Sequence, residues 1–160
     1  MKKSAALLVF IALFGSSFGQ RASMSSPLIK TKDNTVHMMV SFSSFSAGNS
    51  YRLGIGCAVG DLASAKLELI EGDSQLDLPV RTFQQGHNTE QWWGVNKLNV
   101  RGYLLDGDTV PATGAKLRLR VQVPLAVANE KGKLFLFVAR EYAEGIWYLE
   151  DGMPIEEKHW

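Results

Sequence analysis

A single cysteine, Cys57, stands among 160 residues. One thiol cannot close an intramolecular disulfide or build a cysteine-based zinc site of the usual four-ligand kind. Excess charge of either sign is missing as well. The chain sets 17 Lys+Arg against 16 Asp+Glu, which argues against a protein built around the nucleic-acid phosphate field, and no nucleic-acid partner is expected. No apolar run approaches the ~20 residues that a membrane-spanning helix requires. Histidine is scarce: His37, His87 and His159 are scattered without H-x-H or H-x-x-x-H spacing, so neither a metal nor another cofactor is expected. The serines of Ser41–Ser50 contain no G-x-S-x-G elbow, and nothing predicts the strand–turn–helix setting such a nucleophile uses.

The first nineteen residues have a different character from the rest. Met1-Lys2-Lys3 is a short basic start, Ala5–Phe14 is an uncharged apolar run of ten, and Ser17 and Gly19 place small residues at −3 and −1 before Gln20. That order describes a secretory signal peptide over residues 1–19, with a cut after Ala22 as the second choice. Its removal leaves 141 residues with 15 basic and 16 acidic side chains, a formal charge of −1. The mature chain is expected outside the cytoplasm, secreted or periplasmic, and the short Lys-Lys signal without disulfides favours a bacterial envelope. Residues 20–32 lack periodicity and are expected to be a flexible lead-in to one domain over 33–160.

Beyond residue 32 the recurring pattern is alternation with a period of two. In Ala115–Val123, Leu117, Leu119, Val121 and Val123 share one face while Lys116, Arg118, Arg120 and Gln122 share the other, as in a strand with one buried and one wet side. Tyr51–Val59 aligns Tyr51, Leu53, Ile55, Cys57 and Val59, and Val36–Phe45 aligns Val36, Met38, Val40 and Phe42. Weaker alternation marks Ala65–Glu71, Leu76–Phe83 and Leu98–Leu105. Lys133–Arg140 is apolar on both faces, as a strand covered on both sides would be, and Ile146–Glu150 and Gln91–Val95 complete the set.

Turn chemistry separates these runs at Ala47–Ser50, Gly60-Asp61, Glu71–Ser74, Gly86–Asn88, Asp106–Asp108, Asn129–Gly132, Glu144-Gly145 and Asp151-Gly152. No stretch of eleven or more residues shows a capped 3.6 period, and Leu62–Glu71 alternates better than it spirals. No repeat of 20–50 residues recurs. The expected fold is all-β: a two-sheet antiparallel sandwich, immunoglobulin-like in the broad sense, with a small β-barrel as runner-up.

Chemistry-bearing residues each have a plain structural reading. His37-Met38-Met39 offers copper-compatible ligand types, yet a strand points His37 and Met38 to opposite faces, with Met38 on the apolar one. Asp106-Gly107-Asp108 resembles the start of a calcium loop but lacks the later acidic ligands in Thr109–Gly114. Cys57 falls on an apolar face and reads as an inert core thiol. Glu156-Glu157 read as a solvated tail.

Two groups remain as binding candidates. Trp92, Trp93, Trp147 and Tyr148 are aromatic rings that core packing accounts for, but any ring left exposed suits a sugar or a protein contact. Lys116, Arg118 and Arg120 form a cationic stripe ~13 Å long at ~3.3 Å per residue, expected as a solvated face or edge guard and open to an anionic partner. The residues favour a non-enzymatic envelope protein acting through protein contacts, an accessory or assembly component using its sheet edges. A carbohydrate-binding module is the alternative, and a hydrolase with a dispersed site comes third.

Overall fold

The computed structural model describes residues 21–85, 92–95, 97–108 and 116–160. The expected signal segment 1–19, the turn at 86–88, His87 and Gln91 lie outside the described residues, as does most of the loop that follows Asp108. Among the described residues the strands are β1 (Ser23–Met24), β2 (Leu28–Lys32), β3 (Thr35–Ser43), β4 (Tyr51–Cys57), β5 (Lys66–Glu71), β6 (Ser74–Gln75), β7 (Arg81–Gln85), β8 (Leu98–Leu105), β9 (Leu117–Pro124), β10 (Lys133–Ala143) and β11 (Ile146–Glu156). Among the same residues the helix α1 (Leu125–Lys131) and a 3-10 turn over Glu157–His159 accompany them.

The strands form two antiparallel sheets packed as a sandwich. Sheet A runs β1-β3-β9-β5-β6, with β2 also paired to β3, and sheet B runs β11-β10-β4-β8-β7. Each sheet keeps its own strand order, which is the sandwich rather than the barrel. Register explains why the alternation works. Val36, Met38, Val40 and Phe42 of β3 lie opposite Val123, Val121, Leu119 and Leu117 of β9, so apolar side chains meet in cross-strand pairs on one face. All eight are at most 1% exposed. From sheet B, Tyr51, Leu53, Ile55, Cys57, Tyr103, Leu105, Leu134, Leu136 and Val138 close the same core.

Strand β10 is buried on both faces over Leu134–Ala139, as its sequence predicts. Leu134, Leu136 and Val138 enter the central core, whereas Phe135, Phe137 and Ala139 join Trp92, Leu98, Val100 and Trp147 in a second cluster on the far side of sheet B. Gly54 and Gly102 lie directly opposite each other between β4 and β8. A Cβ at either would meet the neighbouring strand's backbone, so glycine permits the close approach there.

Several sequence expectations are corrected. Residues 20–32 are not all lead-in: Ala22 is 1% exposed in the core, and β1 and β2 both pair with β3. The tight turn that makes β2 possible is Asp33-Asn34, at φ 51° and 57°, positions that Asn and Asp tolerate better than most residues. Asn129–Lys131 form the last turn of α1 rather than a loop, with Gly132 at φ 70° donating its N–H to Ala128 O at 2.9 Å. Seven residues span only two helical turns, too few to display a period. Pro124, without an N–H, ends the β9 ladder where the helix begins.

Leu76–Val80 is not strand; β6 and β7 flank it. Trp92–Gly94 form a turn rather than part of a strand over Gln91–Val95. Val59 is 78% exposed because β4 stops at Cys57. Asp151-Gly152 do not turn the chain but continue β11, with a bulge between the Val138–Asp151 and Ala139–Leu149 pairs.

Candidate functional site

The cationic stripe on β9 becomes part of a wider surface once its neighbours are placed. On the outer face of sheet A, β2, β3, β9 and β5 line up in rows. One row is Lys30, His37, Gln122 and Lys66, and the next is Leu28, Met39, Arg120 and Glu68. In a third, Ser41, Arg118 and Ile70 are opposed. An open groove of about 670 Å³ lies over this face, lined by Leu28, Lys30, His37, Met39, Arg118, Arg120 and their neighbours. None of the lining residues carries a carboxylate.

The two arginines are held in place by sheet A itself. Arg120 Nη1 lies 2.9 Å from Glu68 Oε2 on β5, and Arg118 Nη2 donates to Gly72 O at 2.6 Å in the β5–β6 turn. The Arg120–Glu68 pair is solvent-exposed, so it contributes ~0.2–1 kcal/mol at most. Lys30, Lys32 and His37 have no ion pair among the described residues. Leu28 is 75% exposed beside Met39. Lys116 is exposed at the far end of the stripe, outside the groove lining.

The aromatic candidates separate into two kinds. Trp92 is 2% and Trp147 is 4% exposed. The Trp92 ring packs 5.5 Å from Phe137, and the Trp147 ring lies 4.1 Å beneath the Arg52 guanidinium, which also sits 4.4 Å from the Phe83 ring. Neither tryptophan offers a free face. Trp93 is half-buried and stacks on Phe135 at 4.7 Å with its backbone at φ 58°. This left-handed conformation is uncommon for a bulky residue.

Tyr148 alone of the four is exposed, at 45%, and it meets Tyr142 edge-on at 5.3 Å. Tyr142, at 65%, was not distinguished by the sequence pattern. The run Lys133–Arg140 continues as strand to Ala143, so Tyr142 lies just beyond the bounds read from the sequence. Ile146 shares this β10–β11 hairpin tip and is 39% exposed.

Buried polar groups elsewhere serve the fold. Burial pushes the Cys57 thiol above its ordinary value, against the opposing charge of Lys131, which makes it a poor nucleophile. Burial likewise raises Tyr103, whose O–H donates to Leu67 O at 3.0 Å. The Arg52 guanidinium is pulled below its ordinary value by burial, with Glu141 acting in the other direction. Glu150 is raised by burial, against Arg140 and Arg21, and Arg140 Nε stands 3.0 Å from its Oε1.

Among the described residues no three His, Cys, Asp or Glu side chains converge as metal ligands, and no helix is long and apolar enough to cross a membrane. His37 and Met38 do face opposite ways, with Met38 1% exposed in the core. Glu156 ends β11 and lies 3.3 Å from Lys133 Nζ. No protein-family model matches the chain, and comparison with curated proteins gave no match.

Proposed function

We propose that this chain is a secreted, non-enzymatic β-sandwich that works through protein contacts, as an accessory or assembly component of a bacterial envelope or surface structure. The observation that carries the reading is the outer face of sheet A. There Leu28 and Met39 sit among Lys30, His37, Arg118 and Arg120 over an open groove, at a sheet edge formed by β2. Interfaces combine an apolar centre with a polar rim, and an edge strand supplies unpaired backbone groups for a partner. The secretory reading rests on residues 1–19.

Crosslinking the mature chain in an envelope extract, followed by affinity recovery, tests the proposal. The expected product is one stoichiometric protein component whose crosslinks map to β2, β3 or β9. Recovery of glycan alone overturns it.

The exposed Tyr142–Tyr148 pair supports a second reading, a carbohydrate-binding module centred on the β10–β11 hairpin rather than on the tryptophans. A glycan array would then show binding that Tyr142→Ala and Tyr148→Ala each abolish.

A further inference from the structure

We infer that the outer face of sheet A takes an acidic, extended polypeptide segment, added as a strand beside β2; the inference rests on the protein-contact reading above and specifies the partner's chemistry. Charge distribution is the first argument. The chain without residues 1–19 carries a formal charge of −1, yet Lys30, Lys32, Lys66, Arg118 and Arg120 gather on one sheet face with Glu68 as their carboxylate neighbour. A molecule that is slightly acidic overall thus presents one cationic side, which steers and orients an anionic partner.

Spacing is the second argument. Leu28, Lys30 and Lys32 alternate along β2 at ~6.6 Å, twice the ~3.3 Å rise of a strand. An added strand repeats its own side chains at that interval, so alternate carboxylates would fall beside Lys30 and Lys32. Leu28 and Met39, opposed at the end of the row, offer an apolar contact to a side chain of the added strand. Among the described residues β2 pairs with β3 alone, and its other side supplies ladder groups that only a polypeptide can use in register.

The lining chemistry selects among anionic partners. No Trp, Tyr or Phe ring lines the groove. A sugar polymer would favour rings to stack on, and a membrane surface would favour Trp or Tyr at the headgroup level. Lysines on an edge strand also protect against aggregation, and the test below separates that role from recognition.

The probe is a fluorescein-labelled ten-residue peptide alternating Glu and Val, titrated against the mature chain and read by anisotropy. Binding is expected, with a loss of about tenfold or more on raising the salt from ~50 to ~500 mM and a similar loss in the Lys30→Glu/Lys32→Glu variant. Both lysines are exposed on β2, and an unchanged thermal unfolding midpoint would show that the variant is folded. A peptide with Lys in place of Glu should not bind. Backbone N-methylation at alternate residues should abolish binding, because it blocks the ladder.

Equal binding of the N-methylated peptide overturns strand addition. Absence of peptide binding overturns the inference, as does tighter binding to phosphatidylglycerol vesicles or to heparin. If the Lys30→Glu/Lys32→Glu chain still captures its stoichiometric envelope partner, the inference fails while the protein-contact reading stands.

Discussion

The indole of Trp93 rests on the backbone of Gly152: a Cβ built at residue 152 would come 2.7 Å from Trp93 Cζ2 and 2.8 Å from Leu136 O. Two residues far apart in the chain therefore share one space, above β10 and β11 on the outer side of sheet B. The contact accounts for glycine in the middle of a strand. It also helps to hold Trp93 at φ 58°, because the ring is held between Phe135 and that glycine.

Gly152→Ala should therefore destabilise the fold by about 1–3 kcal/mol through overpacking. In a Trp93→Ala background the same change should cost less, although the Leu136 carbonyl still opposes it. Urea unfolding of the four members of this cycle gives the coupling. Simple additivity would mean that the ring and the glycine do not share the space.

Arg52 should not tolerate lysine. Its flat guanidinium is stacked on Phe83 and Trp147, and an ammonium on a flexible stem cannot reproduce two stacked faces. Arg52→Lys is expected to cost about 1 kcal/mol and to shift Trp147 fluorescence toward a wetter environment. An unchanged emission spectrum would count against the stack.

The hydroxyl of Tyr103 is buried on Leu67 O, so Tyr103→Phe leaves a carbonyl without its donor. A loss of about 1–2 kcal/mol in chemical unfolding is expected. A neutral substitution would indicate that the carbonyl finds another partner.

Glu150 sets a pH dependence whose sign follows from its burial. Its folded carboxyl is raised above the ordinary value of ~4.3, so the folded state holds the proton more tightly than the unfolded chain does. The stability this group contributes is fully present below the unfolded value and is lost as pH rises through the raised folded value. Glu150→Gln removes the titration and should flatten that decline in urea midpoints measured upward from pH 4. Parallel slopes for the two proteins would contradict it.

Cutting the chain after Arg140 removes β11, and with it Trp147 and Ile155 from the two clusters. What remains of β10, Lys133–Arg140, would then pair with β4 alone and lose β11 along its whole length. Cooperative unfolding should disappear in a thermal scan. A truncated chain that still melts in a single sharp transition would show that β11 is dispensable.

What could be read from the chain and what could not divides along a physical line. Leu98–Leu105 has the bounds its pattern predicts, and Lys133–Arg140 is buried on both faces because its residues are apolar on both. Strand β2 escaped because Leu28, Lys30 and Lys32 lie on an edge with an exposed outer face, where no alternation of burial is imposed. Asp151-Gly152 looks like a turn because the same pair serves hairpins elsewhere. Here Asp151 Oδ2 instead accepts from the Met24 N–H at 2.8 Å, linking β11 of sheet B to β1 of sheet A.

The candidate surface was legible only in part. Lys116, Arg118 and Arg120 announce themselves because a single strand repeats every second residue. Lys30, His37, Leu28 and Met39 join them only through the β2–β3 and β3–β9 registers, which no local pattern encodes. The aromatic candidates were distinguishable by type but not by exposure, since Trp147 and Tyr148 are adjacent on one strand and their burial depends on what each face meets.

By itself the sequence determined the class of fold and the inward set of each well-patterned strand, because burial on one face of a strand forces a period of two. Tertiary structure decided which strands are neighbours, and so which charges form a face, which tryptophans are covered and why residue 152 is glycine. Those outcomes depend on cross-strand register and sheet packing between residues distant in the chain.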